Sequence, residues 1–213
     1  MGVVGVVVSG MLTGALFSMG PVYARLIGFA APDVAAFMGV SVFAAVLTQL
    51  PIGRFSDRTD RRSVLIAVCI LAALFAALAA MFGASSRAVL FVLAAAFGGI
   101  VLTLYSLSLS HINDHLQPSQ MVSASASAIL MNGAGATVGP IVIAVSMNAF
   151  GPPAYFAGMA ALVGALGLYT LWRKTRRPSV PEEQKAPFVS AQPQAASGQM
   201  VAEVAAAGAE ERT

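Results

Sequence analysis

Charge is scarce in this sequence. Asp, Glu, Lys and Arg together make up 10% of its 213 residues. An ordinary soluble domain carries about 25%. So little charge cannot cover a globular surface in water, which excludes a soluble enzyme of ordinary composition. Cysteine is scarcer still: Cys69 is the single thiol, and it lies inside an apolar run. One thiol forms no intramolecular disulfide and no thiolate cluster. Cys69 therefore reads as a small buried or lipid-facing hydrophobe. The net charge of +3 is clustered and is not laid out as a basic stripe with aromatics, so nucleic acid is excluded as a partner. No charged segment separates Met1 from the first apolar run, and that run is too long for a signal-peptide core.

What the chain has in excess is apolar residues, at 58%. They concentrate in six runs: 2–24, 34–53, 63–82, 88–110, 121–147 and 154–172. None contains Asp, Glu, Lys or Arg. Each is near the roughly 20 residues that cross a hydrocarbon core about 30 Å thick. Main-chain amides in lipid must bond internally, so the runs are predicted to be helices. They do not alternate as the strands of a barrel would. The expectation is an all-α integral membrane protein, with residues 1–172 a six-helix bundle. Residues 173–213, rich in Ala, Pro, Gln and Glu, read as a disordered tail. The basic group Arg173, Lys174, Arg176 and Arg177 reads as a stop-transfer anchor. Asp33 is predicted to cap the second helix, and Pro153 to open the sixth.

The basic residues orient the bundle. Six spans put both termini on one side, with Arg54, Arg58, Arg61, Arg62 and the 173–177 group. The other side has only Arg25 and Arg87. The positive-inside rule then places both termini in the cytoplasm of a plasma (inner) membrane.

The runs also differ in polarity. Runs three and six hold almost no hydrogen-bonding side chains, whereas the other four carry several each. The order polar, polar, plain occurs twice, which predicts two inverted three-helix repeats with the plain helices outermost. Ser9, Thr13, Thr103, Ser106 and Asn132 are the candidates for a cavity wall. The same side chains also serve as ordinary helix–helix glue, and the sequence leaves both open. In run five, Gly135 and Gly139 permit close helix packing, and Pro140 frees a carbonyl. His111, Asp114 and His115 share a helical face, but two histidines are too few for a membrane metal box, and no metal or cofactor is expected.

The segment 53–62 reads Gly-Arg-Phe-Ser-Asp-Arg-Thr-Asp-Arg-Arg. It resembles the signature loop of the major facilitator superfamily, Gly-x-Leu-(Ala/Ser)-Asp-Arg-x-Gly-Arg-(Arg/Lys). Gly53, Ser56, Asp57, Arg58, Arg61 and Arg62 match, while Phe55 and Asp60 depart. Gly135 and Pro140 lie in a stretch similar to a Gly-x-x-x-Gly-Pro element of facilitator exporters. A Tyr-Ser-Leu run at 105–107 and Asn113-Asp114-His115 resemble the YcaD-like branch. The resemblance implies a gating latch built from Gly53, Arg54, Asp57, Arg58, Asp60, Arg61 and Arg62. In that latch Asp57 faces a helix N-terminus, and Arg58 or Arg61 pairs with a carboxylate such as Asp60. It also implies a secondary transporter of small molecules, with partners in the bilayer, a solute and a second six-helix half. That half would be a missing amino-terminal half or a second copy. The amino end begins at once with helix one, so the chain is expected to be a carboxyl-terminal half from a truncated or split gene. No ionisable residue lies deep in a span, so a proton-coupling carboxylate would belong to the mate. The competing reading is a scaffold or accessory subunit without transport. An intramembrane enzyme lacks a convincing serine–histidine setting.

Overall fold

The computed structural model describes residues 1–114 and 118–176. Among them seven helices follow in order: α1 (Gly2–Leu26), α2 (Ala31–Arg58), α3 (Arg61–Phe82), α4 (Arg87–Val101), α5 (Leu104–Asn113), α6 (Pro118–Phe150) and α7 (Ala154–Lys174). They make six segments long and apolar enough to cross a membrane, because α4 and α5 together form one span over Arg87–Asn113. The six expected spans are present, and the bundle is all-helical over the described residues. The last helix runs two residues past 172. Residues 177–213, most of the expected tail, lie outside the described residues, as does His115.

Three boundaries differ from the sequence expectation. The signature segment is not a loop over most of its length: Gly53 to Arg58 continue α2, and only Thr59 and Asp60 connect to α3. Nothing in 53–58 stops a helix, since one glycine costs only about 1 kcal/mol. The fourth run is two helices, interrupted at Leu102 and Thr103. There the Thr103 hydroxyl donates to the Ile100 carbonyl at 2.7 Å, a local bond that competes with the helical ladder. Asp33 is not the cap residue of α2. It stands three residues after the Ala30 cap, and its carboxylate accepts the Ala30 N–H at 3.3 Å.

The packing follows a two-fold pattern. α1 packs mainly on α6, α2 on α4, and α3 on α7. Exchanging spans one to three for four to six turns the α1–α6 pair into the α4–α2 pair and keeps α3–α7. That is the relation expected of two inverted triplets. α3 and α7 each bury one face and leave another apolar face exposed, including Ile70, Leu74, Leu168 and Trp172. Apolar side chains there cost nothing against lipid.

Glycines set the two equivalent contacts. Gly10 and Gly14 of α1 lie against Asn132 and Ala136 of α6, and Gly135 and Gly139 of α6 lie against Val7 and Met11 of α1. At all four, an added Cβ would strike a main-chain carbonyl of the facing helix. The backbones therefore approach as closely as they can. In the equivalent pair, Gly98 and Gly99 of α4 face Ser41 and Ala44 of α2. The α2 hydroxyls stitch that contact: Ser41 donates to the Ala94 carbonyl at 3.2 Å and Thr48 to the Gly99 carbonyl at 2.8 Å.

The two ends of the bundle are held by different chemistry. One end gathers residue 1, the α2–α3 connection and the last residues of α5 and α7. The opposite end is aromatic. Tyr23 stacks on Tyr155 with centroids 4.8 Å apart, and Phe29, Phe37, Phe91 and Phe156 pack around them.

Two glycines of α6 make an internal comparison. A Cβ at Gly133 meets nothing within 4 Å, whereas one at Gly139 enters the Met11 backbone. Gly133→Ala is expected to be neutral or to stabilise by up to about 1 kcal/mol. Gly139→Ala is expected to destabilise by at least about 1–3 kcal/mol. Thermal unfolding of the two variants in the same detergent checks the difference; equal midpoints would contradict the close α1–α6 packing.

Candidate functional site

The end that holds residue 1 carries the densest charge in the described bundle. Arg61, the first residue of α3, is only 3% exposed. A buried guanidinium must be paired or it is strongly unfavourable. Here Nη1 donates to the Ser110 carbonyl at 2.8 Å and to Asp114 Oδ1 at 2.7 Å, and Nη2 donates to Asp57 Oδ1 at 3.1 Å. The Asp114 side chain is 4% exposed, so that pair is fully inside the protein. Asp57 is 40% exposed and stands at the rim. Arg61 thus joins three helix ends: the last turn of α2, the first turn of α3 and the carboxyl end of α5. A cation at the last carbonyls of α5 also matches the helix dipole.

Asp60, next to Arg61, makes a second tie. It is the N-cap of α3, accepting the Arg62 N–H at 3.3 Å and the Ser63 hydroxyl at 2.8 Å. Lys174, at the end of α7, lies 3.6 Å from the Asp60 carboxylate and donates to Ser63 Oγ at 2.6 Å. Burial by itself would raise the Asp60 pKa. The Ser63 and Arg62 hydrogen bonds and the Lys174 charge outweigh it and hold the carboxyl below its ordinary range. Two adjacent residues therefore fasten α2, α5 and α7 to the start of α3.

This differs from the expected latch in its pairings. Asp60 was expected to take an arginine, but among the described residues its cation is Lys174. Arg61 reaches past it to Asp57 and Asp114, because Asp60 is already turned into its own helix as a cap. Asp57 faces Arg61, a side chain one turn on. Arg54 and Arg58 are exposed, Arg62 is buried, and Gly53 is buried in α2.

Of the polar residues expected at a cavity wall, Asn132, Ser9 and Ser106 take part in bonds between helices, and Thr13 and Thr103 bond within their own spans. Asn132 of α6 donates from Nδ2 to the Val6 carbonyl at 3.1 Å and to Ser9 Oγ at 3.2 Å, bonding α6 to α1. Ser9 in turn donates to the Val6 carbonyl at 2.8 Å. Thr13 donates to the Ser9 carbonyl at 2.7 Å and is half-buried. Ser106 is fully buried and accepts from Gln49 Nε2 at 3.5 Å, and Thr103 bonds back into α4. The hydroxyls of Ser9, Thr13 and Thr103 thus donate within their own spans, and the bonds between helices come from Asn132 and Gln49. Pro140 is half-buried inside α6, one residue after Gly139.

Sequence reading missed Asp114 as the partner of Arg61, and the Lys174–Asp60 tie. A charge census carries the signal. The first 172 residues hold four carboxylates: Asp33, Asp57, Asp60 and Asp114. Asp114 is the one on the arginine side that lies outside the signature segment, so it is the natural counter-ion for a buried arginine there.

Comparison with known proteins gives the family and the fold. The family description Major Facilitator Superfamily matches residues 2–207. An uncharacterized MFS-type transporter of Enterobacter sp. (strain 638) is 29% identical over 82% of this chain and 44% of its own length. The uncharacterized MFS-type transporter YcaD of Escherichia fergusonii is 29% identical over 85% of this chain and 46% of its own. The chain thus spans about half the length of the curated relatives it matches. The crystal structure of an auto-inhibited POT family peptide transporter superposes with a TM-score of 0.68, at 16% identity, over 90% of this chain and 39% of that one. Its likeness concerns the fold. The match runs across every described helix and through the arginine segment, and the chain belongs to the major facilitator superfamily.

Proposed function

We propose that the chain is one six-helix half of a secondary transporter that moves a small solute by alternating access, together with a second six-helix half. The mate is the rest of a longer chain or a second copy. The observation that carries this reading is the Arg61 cluster. It closes one end of the half through a buried ion pair, and it leaves Asp57 at the rim, where a second half can reach it. Breaking and remaking such a cluster is a two-state event, which is what alternating access needs.

Three further features support the reading. α2 buries few residues and shows the apolar side chains Phe43, Val46, Leu47 and Leu50, while α6 shows Leu130, Ile141 and Val145. These faces are where a mate would pack. Ser56 Oγ, Tyr105 OH and Ser108 Oγ are buried without a hydrogen-bond partner among the described residues. Buried polar atoms of that kind mark where water enters when a structure opens. Thr13, half-buried on α1, is the nearest of the cavity candidates to an open wall. The basic residues at the Arg61 end orient that end, with both termini, toward the cytoplasm.

The functional test is solute flux in proteoliposomes. The chain held as a monomer is expected to give the flux of empty vesicles, and the chain assembled with its mate, a second copy included, a flux above it. Flux from the monomeric chain would overturn the requirement for a mate; none with any mate would overturn transport.

The cluster makes two stability predictions. Arg61→Gln strands Asp114 in a buried site and is expected to cost about 3–5 kcal/mol, read from thermal unfolding in detergent. A loss below about 1 kcal/mol would mean that the pair is wet and weak. Asp60 titrates with a depressed folded pKa. Its stabilising contribution is therefore complete above the unfolded value of 3.8 and is lost as pH falls through the lower folded value. Between about pH 5 and pH 2 the wild-type unfolding midpoint should fall more than that of Asp60→Asn. Parallel curves would remove Asp60 from the account.

A further inference from the structure

The outer face of α2 changes character at one end. Phe43, Val46, Leu47, Leu50, Arg54 and Arg58 recur at intervals of one, three and four residues that keep them on one side of the helix, and all six are exposed. Most of this face is apolar, and its last turn holds two cations four residues apart. Arg54 and Arg58 have no carboxylate or hydrogen-bond acceptor among the described residues, unlike Arg61 and Lys174 at the same end. α6 is the equivalent of α2 when the two triplets are exchanged, and these two spans bury least of their length. The exposed face of α6 has no charge, and Ser123 and Ser127 stand on it in the first turns. Ala128 packs with Val6, Tyr105 and Leu109, so the start of α6 lies at the Arg61 end.

A second copy of this chain does not complement the two arginines. In a two-fold pair of copies, the α2 face would meet either α2 or α6 of the other copy. The first arrangement sets the two arginine pairs against each other. The carboxylate between them is then Asp57, already bonded to Arg61. The second sets them against the amino end of α6, which has no acidic residue in its first turn and carries the positive end of the helix dipole. The sequence has no carboxylate between Asp114 and Glu182. Asp114 itself is buried against Arg61. Like charge set against like charge costs several kcal/mol at an interface.

We propose that the α2 face docks a six-helix half of different sequence, and that this half presents carboxylates to Arg54 and Arg58. The inference rests on the proposed need for a mate and narrows what that mate is. Two guanidinium groups four residues apart at the end of an apolar stripe fit a helix with an apolar stripe and two carboxylates at the same end. The apolar stripes supply the contact. The ion pairs set its register and disfavour a second copy in the same place.

Size exclusion with light scattering on the full purified chain in detergent tests it. Wild type is expected to remain monomeric. Ser123→Glu/Ser127→Glu adds two carboxylates four residues apart to the exposed start of α6, so that one copy imitates the mate of another. This variant is expected to dimerise about tenfold more tightly than wild type, the order of two ion pairs at a rim. High salt, or the addition of Arg54→Gln/Arg58→Gln, is expected to remove the gain. Wild type dimerising as tightly as the acidic variant would overturn the proposal and leave the need for a mate standing, which solute flux decides separately. An acidic variant with no gain, or with a gain that survives loss of both arginines, would overturn it too. Native mass spectrometry with phosphatidylglycerol decides the matter even if the acidic variant fails to fold. Lipid retained by wild type and lost in Arg54→Gln/Arg58→Gln would assign the pair to headgroups and overturn the docking; equal retention by the two is the expected result.

Discussion

The burial of one arginine constrains the end of the bundle on which the rest depends. Arg61 is almost wholly inside the protein. A buried guanidinium is tolerated only with its charge paired. Its partners come from two other helices, so α2, α3 and α5 must end at one place. Asp60 adds α7 through Lys174. The geometry of this end is therefore fixed by electrostatics, whereas the contacts along the bundle are apolar, glycine-mediated or joined by neutral hydrogen bonds such as Thr48 to Gly99 and Asn132 to Val6. Among the described residues, the opposite end has the exposed Arg87–Asp33 pair and closes on stacked and edge-on aromatic rings. Ion pairs are directional and break discretely, whereas ring packing tolerates sliding.

The glycine contacts supply the rigid part. Where α1 meets α6 and α2 meets α4, the backbones touch through Gly10, Gly14, Gly135, Gly139, Gly98 and Gly99. These two contacts are equivalent under the exchange of the two triplets. The interruption at Leu102 and Thr103 falls directly after the second of them. It divides the fourth span into α4, fastened to α2, and α5, which ends in the Arg61 cluster. The glycine-packed part of that span and the part that meets Arg61 are thus separate helices.

Much of this was legible in the sequence. The six apolar runs gave the spans, because in lipid a long uncharged run has no other way to satisfy its amides. The polar, polar, plain order anticipated the two-fold relation in which α3 packs on α7, although it is α2 and α6 that bury least of their length. The segment 53–62 marked the charged end. Pairings were less legible, because they are set by geometry across long separations. Asp60 was the nearest carboxylate to the arginines in sequence, yet capping α3 turned it away from Arg61. Asp114, 53 residues from Arg61, took the place instead. The continuation of α2 through Gly53 was hidden for a similar reason: charge reads as loop, but nothing there breaks a helix. The hydroxyls of Ser9 and Thr103 could serve a wall or a joint equally well by composition, and only the position of neighbouring carbonyls decides.

Central to the proposed function is that the Arg61–Asp114 pair holds α5 against α2 and α3 as a local tie that can open. Amide hydrogen exchange in detergent, wild type against Asp114→Asn, tests it most directly. The account predicts faster exchange confined to residues 104–114 and the α2–α3 connection, with the α1–α6 glycine contact as protected as before. Unchanged exchange at 104–114, or a uniform loss of protection along the whole chain, would contradict it.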